Sequence, residues 1–216
     1  MKTYGNVFIL GDSYSTFEGQ NPIGYAVYYT RSADYTKVHA VKETWWHRLI
    51  TATESRLVMN NSWSGSTVCY TGYGGYSPDQ SMVKRIGQHL TDGMANGEKI
   101  DTLFILGATN DSWNDSPVGE VKYENWTDED LCACVPAFCR ILDHVRTTSP
   151  EVRIINIING DCLKKEITDG MIEACGHYGA EYVVLSGIDL TEGHPTVRGM
   201  RQIADQVMEA VPPEER

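Results

Sequence analysis

Val7-Phe8-Ile9-Leu10-Gly11-Asp12-Ser13-Tyr14-Ser15 is the stretch that decides the fold. Four apolar residues in an unbroken run read as a strand buried on both faces, the pattern of a parallel sheet covered by helices. The run stops at Gly11, where backbone freedom lets the chain bend sharply and lift the next side chains out of the core. In an open α/β sheet that bend falls at the carboxyl edge, where the ligand crevice forms, so Ser13 is placed in the crevice. Gly, Asp and Ser are also ordinary turn residues after a strand, and the reading gains its weight from what recurs downstream.

Working outward, the chain alternates. Residues 18–42 show little periodicity but carry Tyr25, Tyr28, Tyr29 and Tyr35, too aromatic for a disordered linker, and are expected to form an ordered flap. Glu43 to Glu54 reads as a helix, with Trp45, Leu49 and Ile50 on one face. Arg56 to Asn61 is a second strand, and a helix follows from Pro78 to Leu90. Thr102 to Leu106 is a third strand ending in Gly107-Ala108-Thr109-Asn110-Asp111. A helix is expected over 128–147, opened by Thr127 with Asp130 three residues on, and Pro136 should kink it or mark a fresh start. Val152 to Ile158 is a fourth strand, Thr168 to Tyr178 a helix, Glu181 to Leu185 a fifth strand, and Val197 to Val211 a final helix. Five strands separated by helices predict a doubly wound, three-layer α/β/α sandwich on a parallel sheet.

Bulk properties limit the function. A chain of 216 residues builds one sizeable core, so residues 1–216 are expected to form a single domain. A formal charge of -11 argues against nucleic acid and against an anionic membrane surface, both of which draw on clustered Lys and Arg. No apolar run approaches the roughly 20 residues of a membrane span. The six cysteines, at 69, 132, 134, 139, 162 and 175, read as small buried hydrophobes in a reducing, cytoplasmic compartment, whereas removal of a leader would allow a secreted or periplasmic one. Cys132, Cys134 and Cys139 lack a matching second pair, so no zinc site is expected.

The strand ends carry the chemistry. The loops holding Ser13, Gly65, Asn110 and His194 all open on one edge of a parallel sheet and can converge on one crevice. A serine hydroxyl becomes a nucleophile when an imidazole takes its proton. Acyl transfer then develops charge on the carbonyl oxygen, and fixed donors must meet it. The N–H of Gly65, the amide of Asn110 and the N–H of Ser13 are such donors.

This ordered set resembles the SGNH, or GDSL, hydrolase superfamily, whose four blocks match Gly11-Asp12-Ser13, the glycine of Ser64-Gly65-Ser66, the asparagine of Thr109-Asn110-Asp111, and His194-Pro195. The resemblance implies Ser13 as nucleophile, His194 as base, an oxyanion hole of Ser13, Gly65 and Asn110, a flavodoxin-like strand order 2-1-3-4-5, and no metal or other cofactor. Two positions depart from the family. Ala108 stands in place of the usual glycine of the third block, a small replacement expected to cost little. Thr191 stands where the family has aspartate, three residues before the histidine. Asp189 is the preferred substitute for orienting the imidazole, with Glu192 or a backbone carbonyl as the alternatives.

Every Trp, and nine of the twelve Tyr, lie between Tyr14 and Trp126, with Tyr14, Trp63 and Trp113 beside the proposed catalytic blocks. Flat rings with polar tips suit the faces and hydroxyls of sugars. A lipid pocket calls for Leu, Ile and Phe, and Phe occurs only four times. The expected activity is therefore hydrolysis of a small acyl ester, acetyl in the simplest case, on a carbohydrate. Alternatives are a lysophospholipase or thioesterase, and a non-catalytic sugar-binding module on the same scaffold.

Overall fold

In the computed structural model, which describes residues 2–32 and 35–215, five strands form one parallel sheet: β1 (Asn6–Gly11), β2 (Arg56–Ser62), β3 (Thr102–Leu106), β4 (Arg153–Ile158) and β5 (Glu181–Val184). Their order across the sheet is β2-β1-β3-β4-β5, as the resemblance implies. Parallel strands need crossovers, and the helices supply them: α1 (Trp45–Ala52), α2 (Met82–His89), α3 (Thr109–Trp113), α4 (Cys134–Thr148), α5 (Lys165–Tyr178) and α6 (Val197–Ala210).

The two-residue period of the strands divides the core in two. Phe8, Leu10, Leu103 and Ile105 face one side, where Met82, Ile86, Phe138, Leu142 and Met171 of α2, α4 and α5 cover them. Val7, Ile9, Phe104 and Leu106 face the other, beneath Trp45, Leu49, Met200 and Ile203 of α1 and α6. Trp45 and Trp46 are both core residues. Burying whole side chains of this size stabilises the fold by about 1.5–3 kcal/mol each, which is why the apolar runs were readable as strands.

Several boundaries move. Val41–Glu43 is a separate 3-10 turn, in which the Glu43 carboxylate accepts from the N–H groups of His39 and Ala40, and Thr44 caps α1. The reciprocal Thr127–Asp130 bonds form, but they belong to a short turn, Asp130–Cys132, and not to the long helix. That helix starts afresh at Cys134, so Pro136 falls in its first turn, where a missing N–H costs nothing. Residues 109–113, expected as loop, form the short helix α3. The flap is pinned by bonds from Glu18 N to Tyr29 O (2.9 Å), Tyr28 N to Thr16 Oγ1 (2.9 Å) and Ser64 N to Ala26 O (2.8 Å). Ala33 and Asp34 of this segment lie outside the described residues.

Candidate active site

Gly11 ends β1 because nothing larger fits. A Cβ there would stand 2.6 Å from Ser62 Oγ and 2.8 Å from Ser15 Cβ. Asp12 then caps a 3-10 turn, Ser13–Ser15, accepting from Tyr14 N at 3.0 Å, and this turn presents Ser13 at the carboxyl edge of the sheet. The indole N–H groups of Trp45 and Trp46 hold the far end of the turn at Ser15 Oγ (3.1 Å) and Ser15 O (3.0 Å).

His194 arrives on a hairpin the sequence did not signal. Leu190–Thr191 pairs antiparallel with His194–Pro195, leaving Glu192 and Gly193 as a two-residue turn with φ of 49° and 77°. Two successive positive φ values are those of a type I′ turn. Hydroxyls from two other elements fix this hairpin: Tyr14 donates to Gly193 O, and Tyr29 donates to Pro195 O at 2.9 Å.

The two ends of the chain meet here, with His194 Nε2 3.0 Å from Ser13 Oγ. On the other side of the ring, Nδ1 lies 3.2 Å from the backbone oxygen of Glu192. A carbonyl can only accept, so Nδ1 carries the proton and Nε2 offers its lone pair to the serine hydroxyl. Burial lowers the His194 pKa below its ordinary 6.5, opposed by the bond to Glu192 O, and favours the neutral ring. Tyr28 lies flat on the imidazole, with centroids 3.5 Å apart and planes within 7°. Trp113 meets it edge-on at 5.8 Å.

Asp189 is not brought to His194. Its carboxylate accepts from the Thr196 hydroxyl, which also caps α6 by accepting from Gly199 N, so Asp189 braces the start of that helix. Glu192 is exposed and meets the ring through its main chain. Of the three alternatives for the orienting group, the backbone carbonyl is the contact present.

The three expected oxyanion donors lie in the segments that follow β1, β2 and β3. Among the described residues no backbone acceptor takes the N–H of Ser13 or of Gly65, and Gly65 has a φ of 80° suited to glycine. Asn110, in the first turn of α3, gives one Nδ2 hydrogen to Ser66 O at 2.9 Å and keeps the second. Ala108 just before α3 has a φ of 71°. Its cost is therefore conformational, on the order of 1 kcal/mol, and does not come from size. Asp111 accepts from Val68 N (2.8 Å) and Cys69 N (3.3 Å) and braces the loop after β2.

Beneath the site lies a group that the sequence reading missed. Arg85 of α2 is fully buried and has no carboxylate in ion-pair range among the described residues. Its guanidinium donates to Gln80 O, to Asn61 O and Oδ1, to Gly11 O (3.1 Å) and to Ser66 Oγ (3.0 Å), tying the loops after β1 and β2 together. Burial brings its pKa down to about 10. The same environment raises the Asp12 pKa to about 7, mainly by burial and against its bond from Tyr14 N; among the described residues Asp12 Oδ2 has no hydrogen-bond partner.

The aromatic residues divide. Tyr14 is only 1% exposed and braces the His194 hairpin. Trp63 stacks on Tyr25 at 4.1 Å, and Trp113 and Tyr73 are 43% and 57% exposed. Arg85 joins this wall from below, 5.7 Å from the Tyr25 ring. Among the described residues no group of three or more His, Cys, Asp or Glu could hold a metal ion, and no helix is long and apolar enough to cross a membrane.

A family model described as GDSL-like Lipase/Acylhydrolase matches residues 5–211. Two solved structures, each described as a candidate GDSL-like lipase, are similar over nearly the full length. That from Bacteroides uniformis is 42% identical, with a TM-score of 0.88 over 96% of this chain and 95% of its own. That from Bacteroides ovatus is 41% identical, with a TM-score of 0.87 over 95% and 96%. A family two carbohydrate esterase from Cellvibrio japonicus, 16% identical, shares the fold with a TM-score of 0.61 over 97% of this chain and 62% of its own. No curated protein matches the chain.

Proposed function

Given that the chain belongs to the GDSL-like lipase/acylhydrolase family, we propose that it is a carboxylic ester hydrolase working through an acyl-enzyme on Ser13. Ser13 Oγ attacks the acyl carbonyl carbon as His194 Nε2 takes the hydroxyl proton, and the developing oxyanion is met by the N–H groups of Ser13 and Gly65 and the free Nδ2 hydrogen of Asn110. The C–O bond to the alcohol then breaks, and His194 returns the proton to the departing oxygen. Water, deprotonated by the same imidazole, releases the acid. The pair acts as a dyad: the Glu192 carbonyl holds the tautomer that a carboxylate holds in a triad. The observation that carries this reading is the 3.0 Å contact between Ser13 Oγ and His194 Nε2, with Nδ1 committed to a carbonyl.

The proposed substrate is a small acyl ester, acetyl in the simplest case, on a carbohydrate. The Tyr25–Trp63 stack and the partly exposed Trp113 support it, offering flat rings with polar tips in place of an aliphatic channel. The distant fold likeness to a carbohydrate esterase agrees. A fluorophosphonate probe should label Ser13 and abolish hydrolysis of p-nitrophenyl acetate, and Ser13→Ala should be inert to both. A Ser13→Ala protein that keeps the parent's rate refutes the proposal. Glycan binding without turnover or labelling would instead establish a sugar-binding module, a reading favoured because, among the described residues, no carboxylate is hydrogen-bonded to His194. A panel of acetylated sugars against long-chain acyl esters decides the substrate class.

A further inference from the structure

We infer that Tyr73 is a positioning residue for the oxyanion donor Asn110, an inference that rests on the hydrolase reading above. Tyr73 sits in the turn of a small hairpin, Thr71–Gly72 paired with Gly75–Tyr76. The base of that hairpin is anchored: Thr71 Oγ1 donates to Cys132 O at 2.7 Å, Ser116 Oγ donates to Thr71 O at 2.9 Å, and Tyr70 N donates to Leu131 O at 2.8 Å. From this fixed base the Tyr73 hydroxyl reaches Asn110 Oδ1 at 3.2 Å.

That bond settles which way the amide faces. Ser66 O can only accept, so the Asn110 atom 2.9 Å from it is Nδ2; the tyrosine hydroxyl then donates to Oδ1. With the amide turned over, Oδ1 would face the Ser66 carbonyl and two acceptors would oppose each other. Two bonds on two corners of a planar group fix its plane, and the remaining Nδ2 hydrogen is aimed by default. Donation to Oδ1 also polarises the amide and strengthens its N–H as a donor, as in any chain of hydrogen bonds. Among the described residues Tyr73 makes no hydrogen bond to the side chain of Ser13 or His194; it acts through Asn110. Because Tyr73 is 57% exposed, deletion of its hydroxyl removes this bond without disturbing the core.

The test is Tyr73→Phe, which removes one oxygen. The thermal midpoint should stay with the parent. The kcat for p-nitrophenyl acetate should fall about five- to tenfold, with KM within about twofold, the pattern of an interaction made in the transition state. In an Asn110→Ala background the same change should have no further effect, because the group it positions is gone. A Tyr73→Phe enzyme with the parent's kcat overturns the inference. So does a change confined to KM, or an equal fall in the Asn110→Ala background, either of which makes Tyr73 a direct substrate contact. Ser13→Ala is assayed alongside. If it retains activity, the hydrolase reading and this inference fall together; if it is dead while Tyr73→Phe is unimpaired, only the inference falls.

Discussion

Replacing Asp189 by Asn asks which group holds His194. In a serine protease triad, loss of the orienting carboxylate costs about 10⁴ in turnover, or ~5.5 kcal/mol of transition-state stabilisation. Here the imidazole Nδ1 is held by Glu192 O at 3.2 Å, and the Asp189 carboxylate receives the Thr196 hydroxyl at the start of α6. An amide oxygen still accepts from Thr196, so the variant loses charge assistance on one hydrogen bond, about 1 kcal/mol. That loss falls on stability: for a chain of this size, about 2–4 °C in the thermal midpoint. Turnover should stay within about threefold of the parent, two or more orders of magnitude away from the triad outcome. The assay is the initial rate on p-nitrophenyl acetate, above the pH at which His194 titrates, normalised to sites counted with a fluorophosphonate probe. A fall in kcat of about 100-fold or more, with the site count unchanged, would refute the reasoning.

The other predictions follow from the same geometry. Because burial holds the His194 pKa under 6.5 and only the neutral ring accepts the serine proton, kcat/KM should rise with pH through a midpoint below 6.5 and be level at neutrality; a midpoint above 6.5 contradicts this. Tyr28→Ala removes the ring stacked on the imidazole at 3.5 Å, and should lower kcat up to about tenfold with the fold intact, read by rates beside circular dichroism. An unchanged kcat would show that the stack does not restrain the base. Arg85→Met strips donors from Gly11 O, Asn61 and Ser66 Oγ in a dry interior, a loss of about 3–5 kcal/mol that should lower the thermal midpoint by roughly 10 °C. A shift below about 3 °C would mean that these acceptors find other partners.

The sheet was legible because these strands are mainly apolar and stop at glycine or asparagine: Val7 to Gly11, Thr102 to Gly107 and Val152 to Asn159 each mark a strand end by composition. Since parallel strands share one carboxyl edge, the residues after those ends were placed together without coordinates. Three kinds of feature escaped. Helix α3 is five residues long, under two turns, and leaves no periodic signature. Tyr28 touches His194 across 166 positions of chain, a contact made by the flap's tertiary path. Arg85 stands in no catalytic motif, yet Met82, Arg85, Ile86 and His89 share one helical stripe, and an arginine on the apolar face was the available signal. Asp189 failed for a different reason: Thr196, seven residues on, competes for its carboxylate, and chain distance does not record that competition.

On the proposed dyad, a carbonyl in the post usually held by an acid changes which substitutions can silence the site. Every residue type brings its own main-chain oxygen, so no exchange of side chain at position 192 removes the acceptor itself; damage has to come through the shape of the bend. Glu192 and Gly193 both occupy left-handed backbone, and a methyl added at Gly193 would come within 2.8 Å of the Trp113 ring. The vulnerability to mutation thus migrates from an ionisable group to a pair of dihedral angles, and β-branched residues or proline at 192 and 193 become the lesions to watch for among inactive variants.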